Sequence, residues 1–234
     1  MSTVAQIRER ALRRYGLKGD GTEDRQFTHP LMRDLINEAW RWLAREARCI
    51  SALKTTHLKA NQDFVVLDPE VYDFDPDTVR AKSDGSTWRP LQPVTEAWLI
   101  HDRGSLEECD AGVPAYYWAQ TYASESSHRR LYLHPTPNQD VDDGFRYHAW
   151  VYPRRELTDD DEFELPEAED DCLLPAVNWR MALLERSHGR RDAPVEDFFT
   201  LAETRARALK STLERHRNPG PRRVRVDRWD EFDY

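Results

Sequence analysis

The chain has 234 residues, of which 39% are hydrophobic and 33% are charged, and its formal net charge is −9. The charged fraction exceeds the ~25% typical of a globular domain, but 8 Trp, 9 Tyr and 8 Phe are too many for a chain that cannot pack a core. The composition therefore excludes disorder throughout, and the length suits one elaborate domain or two small ones.

The sequence also argues against membrane and secreted classes. No stretch approaches the ~18 consecutive apolar residues of a transmembrane helix, and the first residues are charged where a signal peptide has its apolar core. The three cysteines, Cys49, Cys109 and Cys172, are widely spaced and form neither a zinc motif nor a disulfide framework. We therefore expect synthesis in a reducing cytosol and no membrane partner.

The net charge is unevenly distributed along the chain. Residues 1–60 carry +5, residues 61–175 carry −17 and residues 176–234 carry +3. The acidic central segment argues against tight binding of a nucleic acid, because binding of phosphates requires clustered Lys and Arg. Two interpretations remain open: a solvated acidic surface, or a surface that repels a polyanion.

Two amphipathic helices are predicted at the start of the chain. The first covers residues 3–15, and the second begins near Pro30, whose missing N–H costs nothing in a first turn, and runs to about Arg48. The apolar residues of the second helix recur at spacings of three and four. They are Leu31, Leu35, Ile36, Ala39, Trp40, Leu43 and Ala47.

From residue 53 to residue 153 the pattern favours strands. Residues 55–58 and 64–67 are expected to form one hairpin, and residues 79–82 and 87–91 a second hairpin around an Asp-Gly turn. Seven strands in all are predicted, which suggests an antiparallel sheet or a small sandwich set between helices.

The remaining predicted elements of this region are a short helix and three strands. Thr95 is expected to cap the helix, which runs through Ile100. The strands fall at residues 115–121, 129–134 and 145–151, each bounded by Pro, Gly or Asn.

After residue 157 the chain is predicted to return to helices. Residues 158–171 form an acidic loop with nine carboxylates in fourteen residues. Helices follow at about 169–187 and 194–216, and their short connection predicts a helical hairpin. The last segment, residues 218–234, is predicted to be an extended tail because two prolines forbid helix continuation.

These elements indicate an α+β fold. We expect the N-terminal helices and the C-terminal hairpin to form a helical bundle, with an antiparallel β region inserted and the tail extended. The expected units are residues 1–52, residues 53–157, residues 158–217, which form one body with 1–52, and residues 218–234.

The sequence contains little that indicates catalysis. It has no phosphate-binding glycine loop, no nucleophile elbow and no histidine pair at zinc-protease spacing. Asp73, Asp75 and Asp77 mimic the first ligands of a calcium loop, but Thr78 stands where that loop needs Gly, and Asp84 where it needs Glu. We therefore expect no enzyme activity, no catalytic residue, no cofactor and no metal.

Two segments are candidates for partner binding or for a charged lining. The cluster Asp159, Asp160, Asp161 and Glu162 has no matching fixed cation in the sequence and is interpreted as an exposed acidic surface. The tail combines cations and aromatic side chains that a purely solvating or frayed terminus would not need. Its candidate partner-binding residues are Arg222, Arg223, Arg225, Trp229, Phe232 and Tyr234.

Several short motifs occur in an order that resembles a known family. They lie at residues 31–40, at 66–69, at 112–117 (G-x-P-x-x-Y), at 131–137 (L-x-L-x-P-x-P) and at 178–184. This order is similar to that of the head-to-tail connector adaptors of tailed bacteriophages. Two features depart from the family pattern, which usually ends near the last helix: the long acidic insertion and the aromatic tail.

The resemblance implies a structural virion protein in the phage neck. Such an adaptor forms a ring, commonly of twelve copies, under the portal protein, extends the DNA channel and docks the next neck, stopper or tail protein. From the charge distribution and the composition of the tail we further expect the four acidic residues to line the lumen, so that DNA passes without specific binding, and the tail to bind the portal. The alternatives are another neck, stopper or baseplate component and, less favoured, a carboxylate-based hydrolase.

Overall fold

A computed structural model describes residues 2–17, 26–82, 87–103, 111–120, 130–153, 156–163 and 167–217. Within these ranges the chain forms five α-helices and nine β-strands, which confirms the predicted α+β class. The helices are α1 (Val4–Arg14), α2 (His29–Ala47), α3 (Glu96–Arg103), α4 (Glu167–Ser187) and α5 (Val195–Arg217). The strands are β1 (Ser51–Leu58), β2 (Phe64–Val66), β3 (Val71–Phe74), β4 (Arg80–Lys82), β5 (Trp88–Pro90), β6 (Gln92–Pro93), β7 (Tyr116–Gln120), β8 (Arg130–His134) and β9 (Val141–Val151).

The helix boundaries follow from local signals in the sequence. Thr3 caps α1: its hydroxyl accepts from the Gln6 amide at 3.3 Å, and the Gln6 side chain accepts from the Thr3 amide at 3.1 Å. α2 has Pro30 in its first turn and ends where Arg48 turns left-handed, with φ of 51°. Thr95 caps α3 by accepting from the Trp98 amide at 3.2 Å, as predicted.

The predicted acidic loop is shorter than expected. α4 already begins at Glu167, so the last part of residues 158–171 is helical. Acidic residues are favoured in the first turn of a helix by the dipole of the backbone. For this reason a run of carboxylates does not by itself distinguish a loop from a helix start.

α1, α2, α4 and α5 share one hydrophobic core. Its fully buried members include Ile7, Met32, Ile36, Leu173 and Met181, each with no solvent exposure. Burying side chains of this size stabilises the fold by roughly 1.5–3 kcal/mol each relative to exposure. The apolar spacing seen in the sequence therefore corresponds to real core positions.

The strands form two sheets with a second core between them. In the first sheet the order is β1-β9-β4-β5, with β3 also paired to β9; in the second it is β2-β8-β7-β6, where β6 and β7 are parallel. Both sheets contribute to the core, which contains Tyr117, Leu131 and Leu133 from the second sheet and Phe145 and Tyr147 from the first. Two sheets with a shared core match the sandwich alternative.

One predicted hairpin is confirmed and the other is wrong. β4 pairs with β5 in antiparallel register, although their turn at residues 83–86 lies outside the described residues. β1 and β2, however, belong to different sheets and pair with β9 and β8. Leu58 and Val65 are both buried in the same core, so the alternation of side chains is satisfied whether or not the two strands pair.

The structure also contains two strands that were not predicted. β3 contains Asp73, the first aspartate of the calcium-like pattern, and β6 is a two-residue strand containing Pro93. Proline is tolerated at a sheet edge because it has no amide to donate.

A buried carboxylate connects α1 to the α4–α5 connection. The Glu185 side chain is only 3% exposed and accepts from the Tyr15 hydroxyl at 2.5 Å, from Arg190 Nη1 at 2.8 Å and from Gln26 Nε2 at 3.3 Å. Burial and the hydrogen bond to Glu185 raise the pKa of Tyr15 above its ordinary value. The phenol therefore remains a hydrogen-bond donor at physiological pH.

Replacing Glu185 with Leu, which is similar in volume, should lower the free energy of unfolding by about 2 kcal/mol, because the Tyr15 hydroxyl is left without its acceptor. Urea denaturation followed by circular dichroism measures this change. The control is Glu203→Leu, which removes an exposed pair with Arg207 on α5 and should change stability by less than about 0.5 kcal/mol. Equal losses of unfolding free energy in the two variants would show that the buried hydrogen bonds of Glu185 contribute no more stability than an exposed ion pair.

A bidentate ion pair closes the connection between α4 and α5. Arg186 donates from both terminal nitrogens to the two Glu196 oxygens at 2.7 Å, and from Nη2 to the Ala193 carbonyl at 3.2 Å. The hydrogen bonds from Arg186 hold the pKa of Glu196 at about 2, below its ordinary value of 4.5.

This shift predicts a pH dependence of stability. Because folding lowers the pKa of Glu196, its contribution to stability is present above pH 4.5 and is lost as the pH falls through about 2. We expect the Tm difference between the wild type and Glu196→Gln to shrink over this window in thermal melts. The neighbouring substitution Asp197→Asn is the control, and a Glu196→Gln difference that stays constant down to pH 2 would contradict the assignment.

Candidate functional site

The structure places one of the two candidate segments. The tail residues Arg222, Arg223, Arg225, Trp229, Phe232 and Tyr234 lie outside the described residues. Asp159, Asp160, Asp161 and Glu162 are described, and they lie in the segment 156–163; because α4 takes up the end of the predicted loop, the name acidic loop refers from here on to residues 156–163.

The acidic loop is seated on the N-terminus of α1. The amides of Val4 and Ala5 donate to the carbonyls of Asp161 and Asp159 at 3.1 and 3.2 Å, and the Phe163 amide donates to the Ser2 carbonyl at 3.2 Å. The first amides of a helix have no partner within the helix. The loop supplies these partners, so its backbone is held in place by α1.

The loop is also anchored in the helical core. Phe163 is 1% exposed, and its ring contacts the Trp40 ring edge-on at a centroid distance of 5.7 Å. Asn37 forms two hydrogen bonds with the backbone of Leu157: its side-chain oxygen accepts at 2.8 Å and its nitrogen donates at 3.1 Å. The loop therefore presents its side chains from a fixed backbone.

The four acidic side chains divide into two pairs. Asp159 accepts from Arg8 at 2.8 Å, and Asp161 accepts from the Thr158 amide at 2.7 Å and its hydroxyl at 2.9 Å. Asp160 and Glu162 are exposed and form no ion pair within the described part of the chain. Two carboxylates thus stabilise the loop, and two face solvent.

The expectation that the acidic cluster lacks a fixed cation is wrong. Arg8 fills that role, with its side chain 8% exposed, although it lies 151 residues away in the sequence. The sequence did contain a sign that Arg8 is buried, because it follows Ile7 on the apolar side of α1, between Val4 and Ala11. A charged residue within an apolar stripe usually has a partner, but its sequence position does not identify that partner.

The carboxylates that resemble a calcium loop have other contacts. Asp73 pairs with Arg48 at 2.5 Å, and the Asp75 carboxylate accepts from the Asp77 amide at 3.1 Å, capping a short 3₁₀ turn at Pro76–Thr78. Among the described residues, no group of three or more His, Cys, Asp or Glu is arranged to hold a metal ion. The carboxylates of Asp73 and Asp75 therefore have structural partners in the fold, and Asp84 lies outside the described residues.

The helices give no sign of a membrane segment. None of those in the described ranges is both long and apolar enough to cross a bilayer.

Replacing Asp159 with Asn should lower the free energy of unfolding by about 1–2 kcal/mol, because the buried Arg8 guanidinium loses its charged acceptor. The matched control is Asp160→Asn in the same loop, where the exposed side chain should contribute less than about 0.5 kcal/mol. Chemical denaturation of both variants measures the difference. Comparable losses would mean that the Arg8 contact does not stabilise the loop.

Comparison with known proteins assigns the chain to a family. A family model described as "SU10 adaptor protein" matches residues 2–225, whereas comparison with curated proteins gives no match. The match covers all described elements and continues past the end of α5 at Arg217, so it includes Arg222, Arg223 and Arg225. The match ends eight residues past α5, so Trp229, Phe232 and Tyr234 lie beyond it. The resemblance inferred from the motif order is confirmed: the chain belongs to the SU10 adaptor protein family, a family of phage head-tail adaptors.

Proposed function

We propose that this chain is a head-tail connector adaptor that forms a ring under the portal, extends the DNA channel and docks the next neck or tail protein. The observation that carries this proposal is the family match over residues 2–225. The match supports a structural role in the virion, and the neck is the position in which a head-tail adaptor acts. No catalytic role is proposed.

The body of the adaptor would consist of two parts that correspond to the two cores. Helices α1, α2, α4 and α5 would form the bundle, with α4 and α5 as its helical hairpin, and the two sheets would form the inserted unit. The separate hydrophobic clusters support this division into residues 1–52 with 158–217 and residues 53–157.

The acidic loop is proposed to face the lumen of the ring. Asp160 and Glu162 are exposed on a backbone that α1 holds in place, while Asp159 and Asp161 maintain the loop conformation. Fixed carboxylates facing a channel repel DNA phosphates. DNA would then pass through the ring without being bound.

The tail is proposed to bind the portal. An extended segment can add main-chain hydrogen bonds to a sheet edge, and aromatic side chains are typical anchors at protein interfaces. In this proposal Arg222, Arg223 and Arg225 contribute charge, and Trp229, Phe232 and Tyr234 fill pockets.

The proposal is tested by the mass of the purified chain alone and mixed with the portal ring of the same phage. A chain that joins the portal in fixed stoichiometry, commonly twelve copies in this class of connector, supports the adaptor. A chain that ignores the portal contradicts it. Binding to a stopper or baseplate protein in place of the portal would support the alternative position in the particle.

Removal of residues 219–234 should leave a folded chain that no longer docks on the portal, because the proposed contact is lost. A second variant, in which Trp229, Phe232 and Tyr234 are all replaced by Ala, should weaken docking at least about tenfold. Co-sedimentation with portal rings measures both effects, and circular dichroism checks folding. Asp160→Asn is the control with normal docking, and undiminished docking of the truncated chain would refute the role of the tail.

A further inference from the structure

The outer face of the first sheet carries a concentration of positive charge. In the pairing of β4 with β9, Arg80 lies directly opposite Arg146, and the next pair is Ala81 with Phe145. Ala81 and Phe145 have no solvent exposure. Because neighbouring residues of a strand point to opposite sides, the two arginines lie together on the side away from the core.

Two further side chains extend this positive surface. Lys82 is paired with Trp88 of β5, its ammonium lies 5.1 Å from the Trp88 ring centroid, and the Arg146 guanidinium lies 4.1 Å from the same centroid. Trp88 is therefore in contact with two cations. We call the surface formed by Arg80, Lys82, Arg146 and Trp88 the basic face.

The charges of the basic face are not neutralised by the described part of the chain. No ion pair joins Arg80, Lys82 or Arg146 to a carboxylate of a described residue, although residues 61–175 carry a net charge of −17. Like charges directly opposite one another in a sheet are destabilising. An anionic group placed over Arg80 and Arg146 would remove this cost, so the sheet favours an anionic ligand at this position.

A groove lies between α5 and the outer side of β9; it contains no residue of the basic face, and His148 is its lining residue closest to Arg146 along β9. It has a volume of about 740 Å³ and is lined by His148 and Trp150 of β9, by Arg48, and by Lys210 and Leu213 of α5, among others. The two β9 residues share the outer side with Arg146, because they follow it by two and four positions. The Arg48 guanidinium lies 4.3 Å from the Trp150 ring centroid and pairs with Asp73, and Asp75 and Glu214 also line the groove, so its charges are mixed and the net positive charge belongs to the basic face.

The chain continues into the tail from the α5 side of the groove. α5 ends at Arg217, one turn beyond Leu213. Residues 227–234 hold four carboxylates, one arginine and three aromatic rings, with a net charge of −3. This acidic aromatic composition complements the basic face.

The tail is long enough to reach the basic face. From Arg217 to Asp227 an extended chain can span about 33 Å. The path from Trp150 to Arg146 along β9 is about 13 Å, and β4 lies about 5 Å to the side. The residues before Asp227 therefore cover the part of the path along the first sheet, and α5 already reaches the groove through Leu213.

We propose that, in the unassembled chain, the acidic aromatic segment 227–234 docks in cis on the basic face of the first sheet. Its carboxylates pair with Arg80, Lys82 and Arg146, and its aromatic rings pack on the Trp88 and Trp150 surfaces. The contact itself does not depend on the proposed function. Because that function assigns the same segment to the portal, docking on the portal would require the segment to leave the sheet.

The test uses the full chain and brief chymotrypsin digestion, which cleaves after Trp229 and Phe232 if they are accessible. Intact-mass measurements over time give the initial rate at which the tail is lost. Dividing this rate by the cleavage rate of a free peptide of residues 218–234 gives the cleavage ratio. The double substitution Arg80→Glu and Arg146→Glu should raise this ratio about tenfold, the factor expected when two or three exposed charge pairs are lost. Raised salt should act in the same direction on the wild type.

The matched control is Arg89→Glu. Arg89 is exposed and adjacent to Trp88 in β5, so it lies on the opposite side of the strand, and its substitution should leave the ratio unchanged. Adding Asp230→Arg and Glu231→Arg to the double variant should restore slow cleavage by reversing both charges. Circular dichroism melts of every variant separate release of the tail from unfolding.

Three outcomes would overturn the proposal. Equal cleavage ratios in the wild type and the double variant would show that the segment does not dock on this face. Protection that rises with protein concentration would assign the contact to a second copy. Unchanged cleavage, with loss of binding to a fluorescent duplex oligonucleotide in the double variant, would assign the face to nucleic acid.

Discussion

The first sheet depends on the pairing of β9 with three other strands. β1 follows one edge of β9, while β3 and β4 share its other edge. Alternation along β9 sends Phe145 and Tyr147 into the core and Arg146 and His148 to the outer side. A register shift of one residue would exchange these two sets. The same constraint therefore builds the core and creates the charged outer surface.

The net charge of a segment is a poor guide to the charge of its surface in this protein, because tertiary ion pairs neutralise some charges and leave others exposed. Lys54 is nearly buried in an acidic region and pairs with Asp68 at 2.9 Å and with Glu70. Burial lowers the pKa of Lys54, but the hydrogen bonds to Glu70 and Asp68 outweigh it and leave the pKa raised. Such ion pairs neutralise carboxylates that the sequence counts as negative charge. The acidic middle of the sequence consequently presents both a negative loop and a positive sheet face.

The family assignment and the charge distribution are consistent with one another in a head-tail adaptor. A structural adaptor needs surfaces for partners and a stable body, and the contacts of Glu185, Asp159 and Asn37 stabilise that body. The acidic loop has a fixed backbone with two exposed carboxylates, Asp160 and Glu162. The tail differs from the acidic loop in composition, because it has basic residues first and then acidic and aromatic ones. The roles proposed for these two segments, a lumen lining and a portal contact, draw on these different compositions.

The helices, most strands, the α+β class and the family could be predicted from the order of the amino acids, because helix caps, apolar periodicity and short motifs act over a few residues. Three contacts are visible only in the folded chain: β1 and β2 join different sheets, Arg8 pairs with Asp159, and Arg80 faces Arg146. These contacts join residues far apart in the chain. Local alternation is equally compatible with several strand partners, and a charge does not specify which opposite charge will meet it.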